Sequence, residues 1–398
     1  MTESAEVVVV GGGVIGSSVA LRLRQHMRDA RIVVVERDPT YARASSYLAT
    51  GGIRQQYESP LNVAMARYST VFYRRFDQLT ASCGHRSRAW FRQRGYLFLA
   101  DEGNADRFER RYETQKASGA NVERWTPTQI AERFAGIATH DVRFGLFGPE
   151  DGYLVPREVL AGFHTMARAA GVEFMHGSAT EITRTSGRVA GVCVSASQGP
   201  REISTSVVVN AAGARAAAVG EAAGVPLPIE PVRQQLFRLS VEERFPSRLP
   251  MVFDPDGTHW RIDDARTSDD AECLIIGRSR AEEPAGENFQ CDHSRLDAEL
   301  LPTFLRRHPD MRVRSVVSGW AGLYEMTPDH NALVGEHPDL PGYVVAAGFS
   351  GHGLMMAPAT GLAVAELIAD GRSSTFDVTP LAPDRFARGE LFVDGALV

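Results

Sequence analysis

The strongest constraint on this chain lies near its start, in VVVVGGGVIG at residues 7–16. Four β-branched residues in a row suit a strand buried on both faces of a parallel sheet. Gly11, Gly13 and Gly16 then fit GxGxxG. In that turn the first glycine permits the tight bend, the second lets the backbone approach a pyrophosphate, and the third lets helix and strand pack closely. Val19, Leu21 and Leu23 lie on the expected helix, whose first N–H groups face the phosphates. RIVVVERD follows as a second buried strand ending in Glu36, 20 residues beyond Gly16, about where a ribose-binding carboxylate belongs. A glycine turn alone is common. Framed by strand, helix, strand and terminal acid, it reads as a nucleotide site. The acid favours a free ribose 2′-hydroxyl over a 2′-phosphate and leaves nicotinamide and flavin dinucleotides both open.

At 398 residues the chain has room for two domains, and 43% hydrophobic residues are enough for a sizeable core. A net charge of −6 with both signs mixed excludes the basic footprint of a nucleic-acid binder. Cys83, Cys193, Cys273 and Cys291 are widely spaced and form no CxxC pair, so reduced thiols and no metal site are expected. Met1 to Glu6 is polar and has no leader pattern. These features together predict a cytoplasmic protein. No apolar run is expected to reach the roughly 18 residues of a membrane span.

The rest of the chain bears on which dinucleotide binds. Glu36 is followed by ERDPTYARASSYLATGGIRQQYESP, a loop rich in small residues, and not by the further βα units usual in nicotinamide dehydrogenases. SVVVNAAG is another buried strand ending in Asn210 to Gly213, and GYVVAAGFSGHGLMMAPATG gives a strand, a small-residue turn and a helix. Backbone N–H groups at such a helix start stabilise developing negative charge, such as the N1–C2=O edge of a reduced flavin.

These segments, with GWAGLYEMTPDHNALVG, stand in family order over nearly the whole length. The chain resembles the D-amino-acid oxidase superfamily of FAD-dependent oxidoreductases, in particular its sarcosine oxidase, glycine oxidase and dimethylglycine dehydrogenase branch. The resemblance implies FAD and an α/β architecture with α+β character in the second domain. It places a discontinuous Rossmann-like FAD-binding domain at 5–82, 146–228 and 318–372. A substrate domain on an antiparallel sheet takes 83–145 and 229–317, and a surface tail takes 373–398. Implied cofactor contacts in the fingerprint are Gly11, Gly13, Val14, Ile15, Gly16, Glu36 and Arg37. The next loop adds Arg43, Ser45, Ser46, Thr50, Gly51, Gly52 and Ile53. Thr180, Ala212 and Gly213 follow, then Gly348, Ser350, Gly351, His352, Gly353 and Leu354.

Relatives of this kind attach FAD through a cysteine or a histidine at places that here hold Gly322 and Leu48, which implies noncovalent FAD. Arg54 matches a carboxylate-binding arginine; the alternative is a structural ion pair. A second cation, a lysine in the family, falls at Met355. Arg261 either substitutes for it or is an exposed sheet arginine. Tyr324 matches a pocket tyrosine or is a core residue, His352 lines the flavin, and Tyr57 and His259 are further pocket candidates. The implied reaction is oxidation of an amino acid or N-substituted amino acid at the carbon next to nitrogen, with hydride transfer to flavin N5 and hydrolysis of the imine. The lysine that promotes reaction with O₂ in sarcosine oxidases is replaced by Ile275, with Arg278 on the opposite face of a regular strand. A dehydrogenase passing electrons to a quinone or carrier protein is therefore favoured over an O₂-using oxidase. A nicotinamide dehydrogenase is disfavoured by the C-terminal segments. The remaining alternative is a non-catalytic flavin-bearing assembly or binding protein, because GGIRQQY and VRQQLFRLS also resemble FAD-dependent oxidoreductase domain-containing proteins.

Overall fold

The computed structural model describes residues 3–245, 249–265, 267–268, 270–279, 283–392 and 394. The valine run forms the strand Val7–Val10, with Ile32–Glu36 on one side and Val208–Asn210 on the other. Glu173–His176 extends the sheet beyond Ile32–Glu36, and Tyr343–Ala347 beyond Val208–Asn210, all in parallel. Leu333–Glu336 closes one edge as an antiparallel strand. Register pairs Val10 with Val35 and with Asn210, so Gly11, Glu36, Ala211 and Gly348 emerge on one edge of the sheet. The carboxyl edge of a doubly wound sheet is where ligands bind.

The central strands are apolar because both of their faces are covered. Val7, Val9 and Val34 face the helices Val14–His26 and Gly353–Asp370. Val8, Val10, Val33 and Val35 face Ile182, Val192 and Ile203 of a small sheet that includes Ser178–Thr185, Arg188–Ala196 and Gly199–Ser204. One expectation is corrected here. The helix Gly353–Asp370 has 18 residues and a mean hydropathy of 1.3, long and apolar enough to cross a bilayer. In this fold it is a core helix, packed against Val14–His26 and Pro60–Arg74.

The second large sheet forms a roof. Among the described residues its strands run in the order Val313–Met326, Glu230–Val241, Cys273–Arg278, Thr258–Asp263, Met251–Phe253, Tyr96–Ala100, Phe144–Gly148 and Glu123–Trp125. Pairing is antiparallel except between Met251–Phe253 and Tyr96–Ala100. One face carries Leu97, Leu99, Trp260, Leu274 and Ile276 and packs on Phe304 of the helix Leu301–Arg307. The other presents Tyr96, Phe98, Met251 and Phe253. It looks onto the loop after the first βαβ unit: a Cβ on Gly52 would meet the Tyr96 hydroxyl.

The tail packs inward. Phe376, Val378 and Leu381 are buried with the core, and the buried Arg385 donates to both oxygens of Asp329 at 2.8 Å. Aromatic and aliphatic residues spaced along the tail cover the end of the nucleotide domain, which a Pro- and charge-interrupted sequence does not announce.

Candidate active site

At the carboxyl edge of the parallel sheet lies a cavity of about 420 Å³, within the range of cofactor sites. Its walls include Gly11, Gly13, Val14, Ile15, Glu36, Arg37, Arg43, Ser45, Ser46, Ala212, Gly213, Gly351, Gly353 and Leu354. Each glycine has its own reason. A Cβ on Gly16 would lie 1.9 Å from the Gly11 carbonyl oxygen, so the third glycine serves helix packing. A Cβ on Gly13 would meet no protein atom nearer than 3.6 Å, so the second leaves open space at the helix N-terminus for a ligand. Glu36 accepts the Gly12 N–H at 2.8 Å and the Asp38 N–H at 2.7 Å, so the same carboxylate also shapes the turn.

Three guanidinium groups line this cavity: Arg37, Arg43 and Arg215. Burial first, and the neighbouring Arg37 next, pull the Arg215 pKa down. Arg215 pairs with Glu287 at 2.5 Å, and Arg43 lies 5.1 Å over the Phe289 ring. Converging cations beside a helix N-terminus make an anion seat. Sequence reasoning missed Arg215 and Phe289. Arg215 stands two residues past Gly213, a usable signal, whereas Phe289 reaches the cavity from the other lobe with none.

Other implied contacts lie elsewhere. Thr180 is exposed and donates its hydroxyl to the Cys193 carbonyl; Gly177, Ser178 and Ala179 form the wall instead, next to a register irregularity. Thr50, Gly51, Gly52 and Ile53 underlie the roof, away from the cavity wall. The Thr50 carbonyl accepts Arg261 Nε at 2.6 Å. Gly348 donates its N–H to Glu325 at 2.9 Å. Ser350 sits at φ 49° with its Oγ 3.2 Å from the Thr327 N–H, which it accepts.

Next to this cavity the fold assembles a buried box around Arg54, which is 3% exposed. Its Nη2 is 3.1 Å from His352 Nε2, and its guanidinium stacks 4.9 Å from the Tyr57 ring and 5.4 Å from Phe98. Tyr57 meets His352 edge-on at 5.3 Å, and its hydroxyl rests against the Met355 sulfur. The roof supplies Phe253, stacked on His259 at 4.7 Å and facing Phe98 at 4.7 Å. Burial pulls the His259 pKa down to about 4, so this ring is a neutral wall at neutral pH. Tyr324, with its pKa raised by burial, lines the nucleotide cavity, and a Cβ on Gly351 would lie 2.5 Å from its ring.

Arg261 matches neither expectation. It is buried, not exposed; its Nε and Nη1 donate to the Thr50 and Ile262 carbonyls, and its guanidinium lies 4.8 Å over Tyr153. It anchors the Thr50–Gly52 turn. Two charged groups near Arg54 were not singled out in the sequence. Asp151, fully buried, accepts the Gln55 N–H at 2.9 Å and Gln56 Nε2 at 3.1 Å; burial raises its pKa to about 7. Arg111, from the polar-looking helix Ala105–Ala117, is buried and paired with Glu58; desolvation lowers it to about 9. Among the described residues no cluster of His, Cys, Asp and Glu could hold a metal ion.

The family model "FAD dependent oxidoreductase" (DAO) matches residues 6–367. The chain belongs to this family. It is 34% identical to FAD-dependent oxidoreductase domain-containing protein 1 of Xenopus laevis, over 100% of this chain and 85% of that protein. It is 26% identical to glycine oxidase of Geobacillus kaustophilus, over 97% and 98% of the two chains. Its fold is similar to the crystal structure of L-proline dehydrogenase from P. horikoshii, with a TM-score of 0.85, 30% identity and 98% and 100% coverage.

The site of this FAD-dependent oxidoreductase fits its cofactor. The glycine turn and arginines would hold the pyrophosphate, Glu36 the adenosine ribose, and the Gly351–Gly353 turn the flavin side. A Cβ on Gly322 would lie 3.2 Å from that of Leu48. Neither carries a nucleophile. On the strand Cys273–Arg278, Ile275 pairs with Arg261 and Arg238 in register. Arg278 lies 3.8 Å from Asp256, which accepts a hydrogen bond from Thr303 in the helix Leu301–Arg307.

Proposed function

We propose that this protein oxidises a small amino acid or N-substituted amino acid at the carbon next to nitrogen, as a dehydrogenase with noncovalent FAD. The observation that carries the reading is Arg54, a guanidinium enclosed by aromatic rings beside the flavin side of the nucleotide cavity. Such a fork recognises a carboxylate bidentately, and the interaction is strongest where water is excluded. Bound FAD supplies the two-electron acceptor. Arg54 binds the substrate carboxylate. Phe98, Phe253 and neutral His259 form apolar walls that exclude water. Tyr324 forms the wall between this box and the flavin side, and Arg261 fixes the Thr50–Gly52 turn beneath it. No side-chain base of ordinary strength is needed when the amine binds neutral, so orientation is the main task of the chain. The similarity to an L-proline dehydrogenase and to glycine oxidase supports a substrate of this size.

The test is anaerobic mixing of the purified flavoprotein with a panel including L-proline, sarcosine, dimethylglycine, glycine and primary L-amino acids, with flavin absorbance followed by stopped flow. One small secondary or tertiary amino acid is expected to bleach the flavin. If dithionite bleaches it and no member of the panel does, the catalytic reading fails. Acid precipitation is expected to leave the flavin in the supernatant; flavin in the pellet would refute the noncovalent part.

A further inference from the structure

Besides Glu36 and its neighbour Asp38, the nucleotide cavity is lined by a third carboxylate, Glu325, near the end of the roof strand Val313–Met326. It is 8% exposed. The Gly348 N–H binds its Oε2 at 2.9 Å, while Oε1 lies on the side of Gly353, 3.7 Å from where a Cβ there would sit. A buried carboxylate is costly unless donors meet it. The backbone N–H groups of Gly348 and Phe349 serve it, yet burial still raises its pKa to about 7, so a further donor is called for. Two other features of the cavity say what that donor is.

The first is its place along the sheet. Glu325 is tied to the end of Tyr343–Ala347, and Glu36 closes Ile32–Glu36. Between them stand the ends of Val208–Asn210 and Val7–Val10, the latter carrying the glycine turn. Three strand spacings separate the two acid-bearing strands, roughly 14 Å. The second is charge. Arg37, Arg43 and Arg215 line the same cavity and suit a phosphate; a carboxylate does not. The cavity thus offers an acid at one end, an anion seat at the glycine turn and an acid at the other end. FAD has the matching order: ribose, pyrophosphate, then the ribityl chain, with neutral hydroxyl donors on both sides of the anion.

We propose that Glu325 accepts a hydrogen bond from a ribityl hydroxyl of FAD, as the flavin-side counterpart of Glu36 on the adenosine ribose. Gly348 orients the carboxylate through Oε2, and Oε1 receives the hydroxyl. Because the acceptor stands beside the turn that leads into the helix Gly353–Asp370, it fixes the chain that carries the isoalloxazine ring against that helix start.

The test uses apoprotein and reads binding. Wild type, Glu325→Gln, Glu325→Ala and Glu36→Gln are titrated with FAD by fluorescence quenching, and with ADP, which lacks a ribityl chain, by calorimetry. Glu325→Ala is expected to weaken FAD about tenfold, as for loss of one hydrogen bond, and to leave ADP unchanged. Glu36→Gln weakens both. With FAD analogues deoxygenated at single ribityl positions, one analogue is expected to lose affinity for wild type and none for Glu325→Ala. Equal losses of FAD and ADP in Glu325→Ala and Glu325→Gln would show a structural role and overturn the assignment. So would unchanged FAD affinity, or deoxy analogues that lose as much on Glu325→Ala as on wild type.

Discussion

Arg54 and Asp151 lie close together and call for different tests. Arg54 has Phe98 and Tyr57 beneath its guanidinium, so Arg54→Met keeps the volume and apolar contacts while removing the charge. The substrate carboxylate would then enter an apolar box. We expect kcat/KM to fall by about 2–5 kcal/mol in transition-state terms, with FAD content intact. Unchanged kinetics with the true substrate would assign Arg54 to structure. Asp151 is a stability matter. Its folded pKa of about 7 lies above the ordinary carboxylate value because burial disfavours the charge. Between the unfolded value and 7 the folded state therefore binds more protons than the unfolded state, and stability is lost as pH rises through that window. Below it the contribution is fully present. The neighbouring Gln56 Oε1 is buried with no acceptor role filled, so a flipped Gln56 amide can receive the proton of Asp151, or the amide of an asparagine. Asp151→Asn should accordingly gain stability relative to wild type from about pH 4 to pH 7 and hold the gain above it. Urea unfolding of the apoprotein across that range checks this; a difference independent of pH would show Asp151 ionised throughout.

At the scale of elements, the tail and the helix Pro60–Arg74 act as one unit. Ser59 caps this helix through its Oγ, 3.1 Å from the Asn62 N–H. Asp394 lies over the same end, accepting the Glu58 N–H at 2.7 Å, the Ser59 N–H at 3.1 Å and Asn62 Nδ2 at 2.6 Å. A carboxylate there satisfies helix-start donors and complements the dipole. The capped segment follows directly on Arg54 to Tyr57, so the cap also holds the loop that carries Arg54. Asp394→Ala is expected to cost about 1–3 kcal/mol of stability and to raise KM more than it lowers kcat, with FAD content unchanged. Thermal unfolding and steady-state kinetics decide it; a normal Tm and a normal KM would exclude the role.

The whole molecule has the nucleotide cavity at the carboxyl edge of one sheet and the aromatic face of Tyr96, Phe98 and Phe253 on the other. The roof strand Cys273–Arg278 presents a buried Ile275 on the face that carries Arg261, while Arg278 turns to Asp256 on the other side. That strand brings no cation to the flavin side to stabilise a forming superoxide. Reduced enzyme is therefore expected to reoxidise in air-saturated buffer more slowly than it turns over with an artificial dye. Stopped-flow reoxidation as fast as turnover, with stoichiometric hydrogen peroxide, would show an oxidase.

How much of this was legible in the sequence follows from the range of the interactions. VVVVGGGVIG and the strand ending in Glu36 are local: β-branched runs, a turn only glycine can make and an acid at fixed spacing specify a βαβ unit and a dinucleotide site, without choosing between nicotinamide and flavin. The C-terminal flavin segment and the family resemblance are legible for the same reason. Arg261, Arg215, Asp151 and Glu325 are not. Whether Arg261 faces substrate or a backbone carbonyl depends on Thr50, which stands far away in sequence. Arg215 becomes part of an anion seat only beside Arg37 and Arg43, and Glu325 enters the cavity because a roof strand ends against Gly348. Gly177, Ser178 and Ala179, one to three residues before Thr180, line the cavity beside a register irregularity that composition does not reveal. The sequence by itself determined the nucleotide-binding βαβ unit. Which charges became buried, and which partners they met, was decided only by tertiary packing, because desolvation and hydrogen bonding depend on neighbours that the chain brings together from distant segments.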